Sequence, residues 1–300
     1  MPANQGSLPR PRLACEIAPE RVIAARASAG SAGGGVEAYS SRNLGPGIVA
    51  PSLAAHNVLD GDALRHAIGE SLNEVAGSSR DVIAILPDSA VRVVLLEVEA
   101  LPDKTEDALG FVRFRLRKSL PFDVDAAAVS YHSRQVNDRF QLVAAVTPLA
   151  VLQEYESAFQ DAGYSPGVVQ PSMLAALGLI DASQAALVVK VDATHTSLAI
   201  VDGGQLRLFR QMDLVLAPDQ KGLDLAENVR PSLVFFEDTY QAAITRIFFT
   251  GVVPVAEVRD ALEEQTGIRP QELVAMQSGE NMSPLALPKA WLSGVLGALA

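Results

Sequence analysis

Four of the chain's 24 lysines and arginines, Arg113, Arg115, Arg117 and Lys118, fall within six residues of one another. They sit in the segment 111–125, FVRFRLRKSLPFDVD, of a chain whose formal net charge is −11. A compact positive segment on an acidic chain suits recognition of carboxylates or anionic headgroups. Read as a helix, the segment has two apolar sides. Leu109, Val112 and Leu116 follow i, i+3, i+7 spacing. Phe111 and Phe114 lie roughly opposite them at about 100° per residue. Arg113 and Arg117, four apart, form a basic seam between the sides. One apolar face packs on the chain's own sheet; a second calls for another domain or a partner.

Other chemistry-bearing residues are scattered. There is no G-x-x-x-x-G-K-[ST] loop for a P-loop nucleotide site and no G-x-S-x-G elbow for a hydrolase serine. His56, His66, His132 and His195 stand apart, and Cys15 is the single cysteine, so metal-ligand spacing is absent. His195, beside Thr194 and Thr196, reads as an exposed turn histidine. The pairs Glu263–Glu264 and Glu16/Glu20 read as solvated carboxylates. The glycine-rich stretch 29–35 could cradle a phosphate, but without a helix start or a lysine it reads as a hairpin loop.

Three hundred residues, 49% hydrophobic and 20% charged, suffice for roughly two domains with large cores. Aromatics supply only 5%, so those cores rest on Val, Leu, Ile and Ala. The acidic balance argues against broad nucleic-acid binding. One cysteine allows no internal disulfide and is compatible with a reducing compartment. The first residues lack a signal-peptide pattern, and no run of about 18 apolar residues offers a membrane span. The apolar tail 291–300 reads as a helix capping a core.

The elements repeat. Strands are expected at 13–17, 21–27 and 36–40, then a helix capped by Asp62 with Leu64, Ile68, Leu72 and Val75 on one face. Strands at 82–86 and 91–99 flank a Pro87–Asp88 turn. The double-faced helix runs from about 104 to 120, and strands at 127–134 and 140–146 pair across Asn137–Asp138. This strand–strand–helix–strand–strand block, 81–147, reads as a small subdomain. After a helix carrying Leu152, Tyr155 and Phe159, a strand at 168–170 and a helix opened by Pro171, the first pattern returns. Strands are expected at 186–191, 196–201 and 206–212, the last two joined by an Asp202–Gly203–Gly204 turn. A helix broken or started at Pro231, a strand at 247–250 and a helix at about 254–265 follow. Two halves that each open with a three-stranded meander predict a duplicated α/β core.

The order of elements resembles the actin-like ATPase fold of the type IV pilus assembly protein PilM family, relatives of the divisome protein FtsA. The resemblance is carried by 82–102 (VIAILPDSAVRVVLLEVEALP), 114–132 (FRLRKSLPFDVDAAAVSYH), 145–177, 197–214 and FFTGV at 248–252. The R-x-R-K-x-L-P-F stretch at Arg115–Phe122 is the most specific. The resemblance implies a duplicated actin-like, ribonuclease H-like core with a small inserted α+β subdomain. The implied division is a tail at 1–11, a first half at 12–80, the insertion at 81–147, helices and crossover at 148–185, and a second half at 186–300. It also implies a cytoplasmic scaffold at the inner face of the inner membrane, held there through its partner. That partner is the N-terminal tail of a bitopic PilN-like protein, seated in a groove between the first core subdomain and the insertion. Phe111, Arg113, Phe114, Arg117 and Lys118 are then the candidate partner-binding residues.

The resemblance also implies an ATP and magnesium site, and there the sequence departs from the pattern. The first phosphate turn, D-I-G-S-S-S-like in members that bind ATP, reads Glu16-Ile17-Ala18-Pro19-Glu20-Arg21. Pro19 removes a backbone N–H, Ala18 replaces a permissive glycine, and Glu20 places a carboxylate where phosphate would arrive. The second turn, D-I-G-A-x-x-T, reads Lys190-Val191-Asp192-Ala193-Thr194-His195-Thr196, keeping Thr196. The adenine-side T-G-G reads Thr250-Gly251-Val252. Glu16, Asp192, Thr196 and Gly251 are thus what remains of a degenerate cofactor site, and a pseudo-ATPase is expected. The alternatives are an active ATPase with Glu16 and Asp192 holding magnesium, and a type II secretion L-like cytoplasmic module, whose family continues into a membrane span. An FtsA-like filament former fits less well, since 288–300 carries only Lys289 as a basic residue.

Overall fold

The computed structural model describes residues 10–28, 35–54, 56–193, 195–213, 221–251, 255–274 and 287–300. The first half holds β1 (Leu13–Ala18), β2 (Arg21–Ala27), β3 (Val36–Asn43), α1 (Gly61–Val75) and β4 (Asp81–Leu86). Then come β5 (Arg92–Val98), α2 (Thr105–Leu116), β6 (Ala127–Val136) and β7 (Arg139–Pro148), followed by α3 (Leu149–Asp161), β8 (Ser165–Pro171) and α4 (Ser172–Ala176). The second half holds β9 (Ala186–Val191), β10 (Thr196–Asp202), β11 (Gln205–Met212), α5 (Lys221–Tyr240), β12 (Arg246–Gly251), α6 (Val255–Thr266) and β13 (Gln271–Glu272). Helix α7 (Ser293–Leu299) closes the chain.

The duplication expected from the repeated pattern is present strand for strand. One sheet runs β3-β2-β1-β4-β8 and the other β11-β10-β9-β12-β13. In each, a meander of three antiparallel strands is extended by two parallel ones. A central strand flanked on both edges and covered on both faces must be apolar throughout. Accordingly β1 (LACEIA) and β9 (ALVVKV) are buried at every position. Each of these strands also carries one charged residue, Glu16 in β1 and Lys190 in β9.

Local chemistry sets the boundaries. Helix α1 is capped by Asp60, whose side chain accepts from the Ala63 N–H at 3.0 Å; Asp62, the expected cap, lies within the first turn instead. Leu64, Ile68, Leu72 and Val75 form its buried face as the spacing predicts. The Asn137–Asp138 hairpin needs Asn137 in the left-handed region (φ 54°), which asparagine tolerates. Pro231 lies inside α5 rather than breaking or starting it.

The block 81–147 divides differently from the sequence expectation. Its first strand, β4, pairs in parallel with β1 and belongs to the first core sheet. A β-branched run bounded by turns does not reveal which sheet it joins, because central parallel and antiparallel strands share that composition. The remaining strands form a separate sheet, β5-β7-β6, with α2 on one face. The tail forms a helix over a core as expected: Leu292, Val295 and Ala298 pack on Ile83, Ile85 and Ala175 of the first half. Among the described residues no helix is long and apolar enough to cross a membrane.

Candidate functional site

The two buried charges of β1 and β9 meet at the boundary between the halves. The Lys190 ammonium binds the Asp192 carboxylate in its own half and lies 3.4 Å from Asp88 Oδ2 in the first half. Asp88 follows β4 in a single 3-10 turn and is fully buried. Its other oxygen accepts from the Met173 N–H at 2.8 Å, and its Oδ2 also accepts from Ser197 Oγ at 3.1 Å. Gln211 of β11 donates to the Asp88 carbonyl at 2.6 Å and to the Val91 carbonyl at 2.8 Å. One short turn of the first half is therefore gripped by three side chains of the second.

Glu16 completes the cluster. One of its oxygens accepts from the Ser172 hydroxyl, while Oε2 is buried with no partner among the described residues. Burial pushes the Glu16 carboxyl above its ordinary range; Lys190, the Ser172 hydroxyl and Arg21 pull the other way. Burial disfavours the charged Lys190 too, but Asp192, Asp88 and Glu16 outweigh it and hold the ammonium protonated well beyond the usual lysine range. Gly294 of α7 abuts this carboxylate so closely that a Cβ there would lie 2.2 Å from Glu16 Oε2.

Around the cluster lie the altered turns. Ala18 and Arg21 pair directly, so Pro19 and Glu20 form a two-residue reversal. The buried Arg21 guanidinium binds Glu20 and stacks 4.4 Å from the Trp291 ring. Across the boundary, the turn after β9 closes with the Asp192 N–H donating to the His195 carbonyl at 2.8 Å. His195 is buried, not exposed as its turn position suggested; its Nδ1 lies 3.1 Å from Asp213. The Thr196 hydroxyl is buried without a partner among the described residues. Gly251 has φ +116°, and a Cβ there would fall 1.9 Å from the Val191 carbonyl oxygen. Thr194, Val252 and the stretch 29–34 lie outside the described residues.

No protein-family model matches the sequence, and no curated protein does. Solved structures do match. One chain of a "PilM-PilN type IV pilus biogenesis complex" superposes with a TM-score of 0.77 at 18% identity, over 97% of each chain. The cytoplasmic domain of EpsL, an inner-membrane component of the type II secretion system of Vibrio cholerae, gives 0.53 at 12% identity, covering 96% of this chain and 94% of that one. A Bacteroides thetaiotaomicron protein of actin-like ATPase fold and unknown function gives 0.50 at 9% identity, covering 86% and 89%. This chain has the actin-like ATPase fold. The duplicated sheets are its two cores, and β5-β7-β6 with α2 is the small unit inserted in the first.

Within this actin-like frame the residues at the boundary do not fit magnesium-ATP. The Lys190 ammonium occupies the carboxylates a divalent cation would need, and two like charges within a few ångströms repel strongly in a buried site. Pro19 offers no N–H to a phosphate, and the Glu20 carboxylate beside it pairs with Arg21. Of the residues carried over from the family pattern, Glu16 and Asp192 converge on the cluster, and Thr196 opens β10 beside it. Gly251 ends β12 against β9. Glu16 is the reverse of the solvated carboxylate its pairing with Glu20 suggested. Asp88 escaped the sequence reading: the dipeptide Pro87–Asp88 signals a turn, and nothing local announces that the turn is a contact between halves.

The candidate surface on α2 is also redistributed. Ala108, Val112 and Leu116 are its buried face. Phe111 is half-buried and packs into the insertion core, whereas Phe114 is 66% exposed. The Arg113–Arg117 seam divides, with Arg113 turned inward and Arg117 exposed. Arg113 donates to the Val124 and Ala127 carbonyls and Arg117 pairs with Asp125 at 2.7 Å, tying the loop after α2 to the helix. Arg115 and Lys118 remain exposed. A separate groove of about 220 Å³ lies between the first core sheet and the inserted sheet. Leu86, Val91, Val129, Val146, Leu152 and Val169 line it. β8 and β6, the edge strands of their sheets, flank it.

Proposed function

We propose that this chain is a non-catalytic scaffold of a type IV pilus inner-membrane platform, and that it captures the N-terminal cytoplasmic tail of a PilN-like bitopic membrane protein. The observation that carries the reading is the groove between β8 and β6. Two sheet edges with unpaired main-chain groups bracket an apolar channel, the arrangement in which an extended peptide adds as a strand and drops alternate side chains into pockets. Glu156 and the unpartnered Gln170 Nε2 are the polar groups at hand for orienting it. The structural likeness to a chain taken from a PilM–PilN complex supports the same reading. The chain then works in the cytoplasm, at the inner membrane face, through its partner.

The open side of α2 is a second contact in this proposal. Phe114 and Lys118 face solvent and can meet an apolar residue and an acidic group or headgroup of the partner complex. Phe111 and Arg113 shape that surface from within the insertion, and the exposed Arg117 lies on it, paired with Asp125.

Nucleotide hydrolysis has no part in the proposed role: the chain is read as a pseudo-ATPase, because its phosphate turns are altered and an ammonium lies among the boundary carboxylates. Two measurements test the proposal. Fluorescence anisotropy with a labelled peptide from the N-terminal tail of a PilN-like single-span protein should show saturable binding that Val129→Arg abolishes. Binding unaffected by groove substitutions would refute the assignment. Titration with ATP and magnesium should show no micromolar affinity; finding one would restore the active-ATPase reading.

A further inference from the structure

We propose that a slot between the open face of the inserted sheet and the β10–β11 hairpin binds a small carboxylate that also carries an apolar side chain and an amide N–H. That is the chemistry of a free N-acylated amino acid or of the last residue of a peptide. The slot shares no lining residue with the groove between β8 and β6, so peptide capture there is a separate matter.

Strand alternation builds one wall. β5, β7 and β6 pair in register, so His132, Val143 and Leu95 lie on one rung, and Arg134, Gln141 and Glu97 lie two residues further along. Residues two apart on a strand share a face. Leu142 and Leu96, on the rung between, pack into the core beneath α2, so the other two rungs look away from it. The hairpin of the second half supplies the opposite wall, with Gly204, Gln205, Leu206 and Arg207. Gly203 and Gly204 hold its tight turn at φ 57° and 72°. Arg134 spans the gap, its Nη1 donating to the Gly204 carbonyl at 3.4 Å. The space between the walls is about 240 Å³, below the range of about 300–1,000 Å³ that houses drug-sized ligands. One residue and its amide suit it better than a longer segment.

Unused polar capacity defines the ligand. The Gly204 carbonyl is the one acceptor of Arg134 among the described residues, which leaves most of its donors free. The buried Arg207 Nε has no hydrogen-bond partner among them, and Asp202 lies 3.9 Å away. Glu97, the carboxylate of the lining, is already paired with Arg139 at 3.0 Å. Donors are therefore in excess, and a carboxylate matches the planar fork of a guanidinium. Gln205 Oε1 is buried without a partner among the described residues, and an amide N–H would satisfy it. Leu95, Val143 and Leu206 offer apolar surface to a side chain. An acid without the amide leaves Gln205 unsatisfied, and an amide without the acid leaves the guanidiniums so.

The test titrates N-acetyl-leucine into the full chain, labelled at leucine and valine methyl groups, and follows the NMR spectrum. Saturable shifts at Leu95, Val143 and Leu206 are expected. N-acetyl-leucine amide, which lacks the charge, should bind about tenfold more weakly or worse, and Arg134→Gln should weaken N-acetyl-leucine by a similar factor. Arg134 is exposed, so that variant should keep the wild-type melting point. Should it melt lower, His132→Trp, which fills the slot from another exposed strand position, takes its place and should abolish binding. An acetylated tetrapeptide ending in leucine separates the two sources. Binding tighter than that of N-acetyl-leucine assigns the slot to a chain terminus, and weaker binding assigns it to a free N-acyl amino acid. Absence of saturable shifts at these methyls, equal affinity for the amide, or unchanged affinity in either folded variant would overturn the proposal.

Discussion

The Lys190 ammonium and the Asp88 carboxylate lie 3.4 Å apart across the boundary of the two halves, and neither side chain is appreciably exposed. Truncating one member of a buried pair leaves the other charged and unsolvated, which typically costs about 3–5 kcal/mol. Asp88→Ala also strands the Met173 N–H and Ser197 hydroxyl, so it should fall at the upper end of that range. Asp192→Ala should cost less, since Asp192 retains contact with solvent. In a double-mutant cycle by urea denaturation, Lys190→Met with Asp88→Asn should lose less than the sum of the two single changes. The coupling expected for neighbours in one network is about 0.5–3 kcal/mol. Additive losses would mean that the pair does not act as a unit.

Glu16 gives the molecule a pH dependence of definite sign. Burial raises its folded-state titration above that of the unfolded chain, against the pull of Lys190. A group whose folded value is raised favours folding while protonated, so its contribution is present below the unfolded value, about 4.3, and lost as pH rises through the folded one. Glu16→Gln keeps an acceptor for the Ser172 hydroxyl and removes the titration. The thermal midpoint of the variant relative to wild type should therefore climb as pH rises through that window and level off above it. A difference that stays flat from acid to neutral pH would contradict the assignment.

Much of the fold could be read from periodicity. The meanders at 13–40 and 186–212 are short apolar runs separated by turn residues, and such runs form wherever they are folded. The helix faces of α1 and α3 follow from spacing alone. The membership of β4 was not legible, because its residues suit either sheet and pairing is a long-range choice. The site was half legible. Glu16 and Asp192 surfaced through family resemblance, but their burial depends on the halves closing on each other. Lys190 showed only as a mismatch, although a lysine inside an unbroken apolar strand demands a buried anion. Asp88 is that anion, 102 residues earlier in the chain. The inward half of the basic seam on α2 was not legible for a related reason: Arg113 reaches the Val124 and Ala127 carbonyls only because the loop returning to β6 brings them there.

Phe111 and Phe114 should separate structure from recognition. Phe114 is mostly exposed, and Phe114→Ser should change stability by less than about 0.5 kcal/mol, as surface substitutions do. Phe111 contributes to the insertion core, and Phe111→Ser should cost about 1–3 kcal/mol. Tail-peptide affinity measured on both variants then locates the surface. A loss confined to Phe114→Ser, with unfolding unchanged, places a contact on the open side of α2. Unchanged affinity in Phe114→Ser leaves the groove between β6 and β8 as the whole of the binding site.

Gly251 and Val191 test whether the second half tolerates any change at its own rim. Gly251 pairs with Val191 in the parallel β9–β12 ladder at φ +116°, a conformation that L side chains rarely adopt. An added Cβ would meet backbone atoms: the Val191 oxygen at 1.9 Å and its nitrogen at 2.9 Å. Backbone cannot swing aside as a flexible side chain can, so β12 must part from β9 directly after Lys190 and before Asp192. Gly251→Ala should cost more than about 2 kcal/mol in urea unfolding. It should also speed hydrogen exchange of the Asp192 amide, whose bond to the His195 carbonyl closes that turn. A stable variant with an unchanged Asp192 exchange rate would show that the close approach at Gly251 does not hold the turn in place.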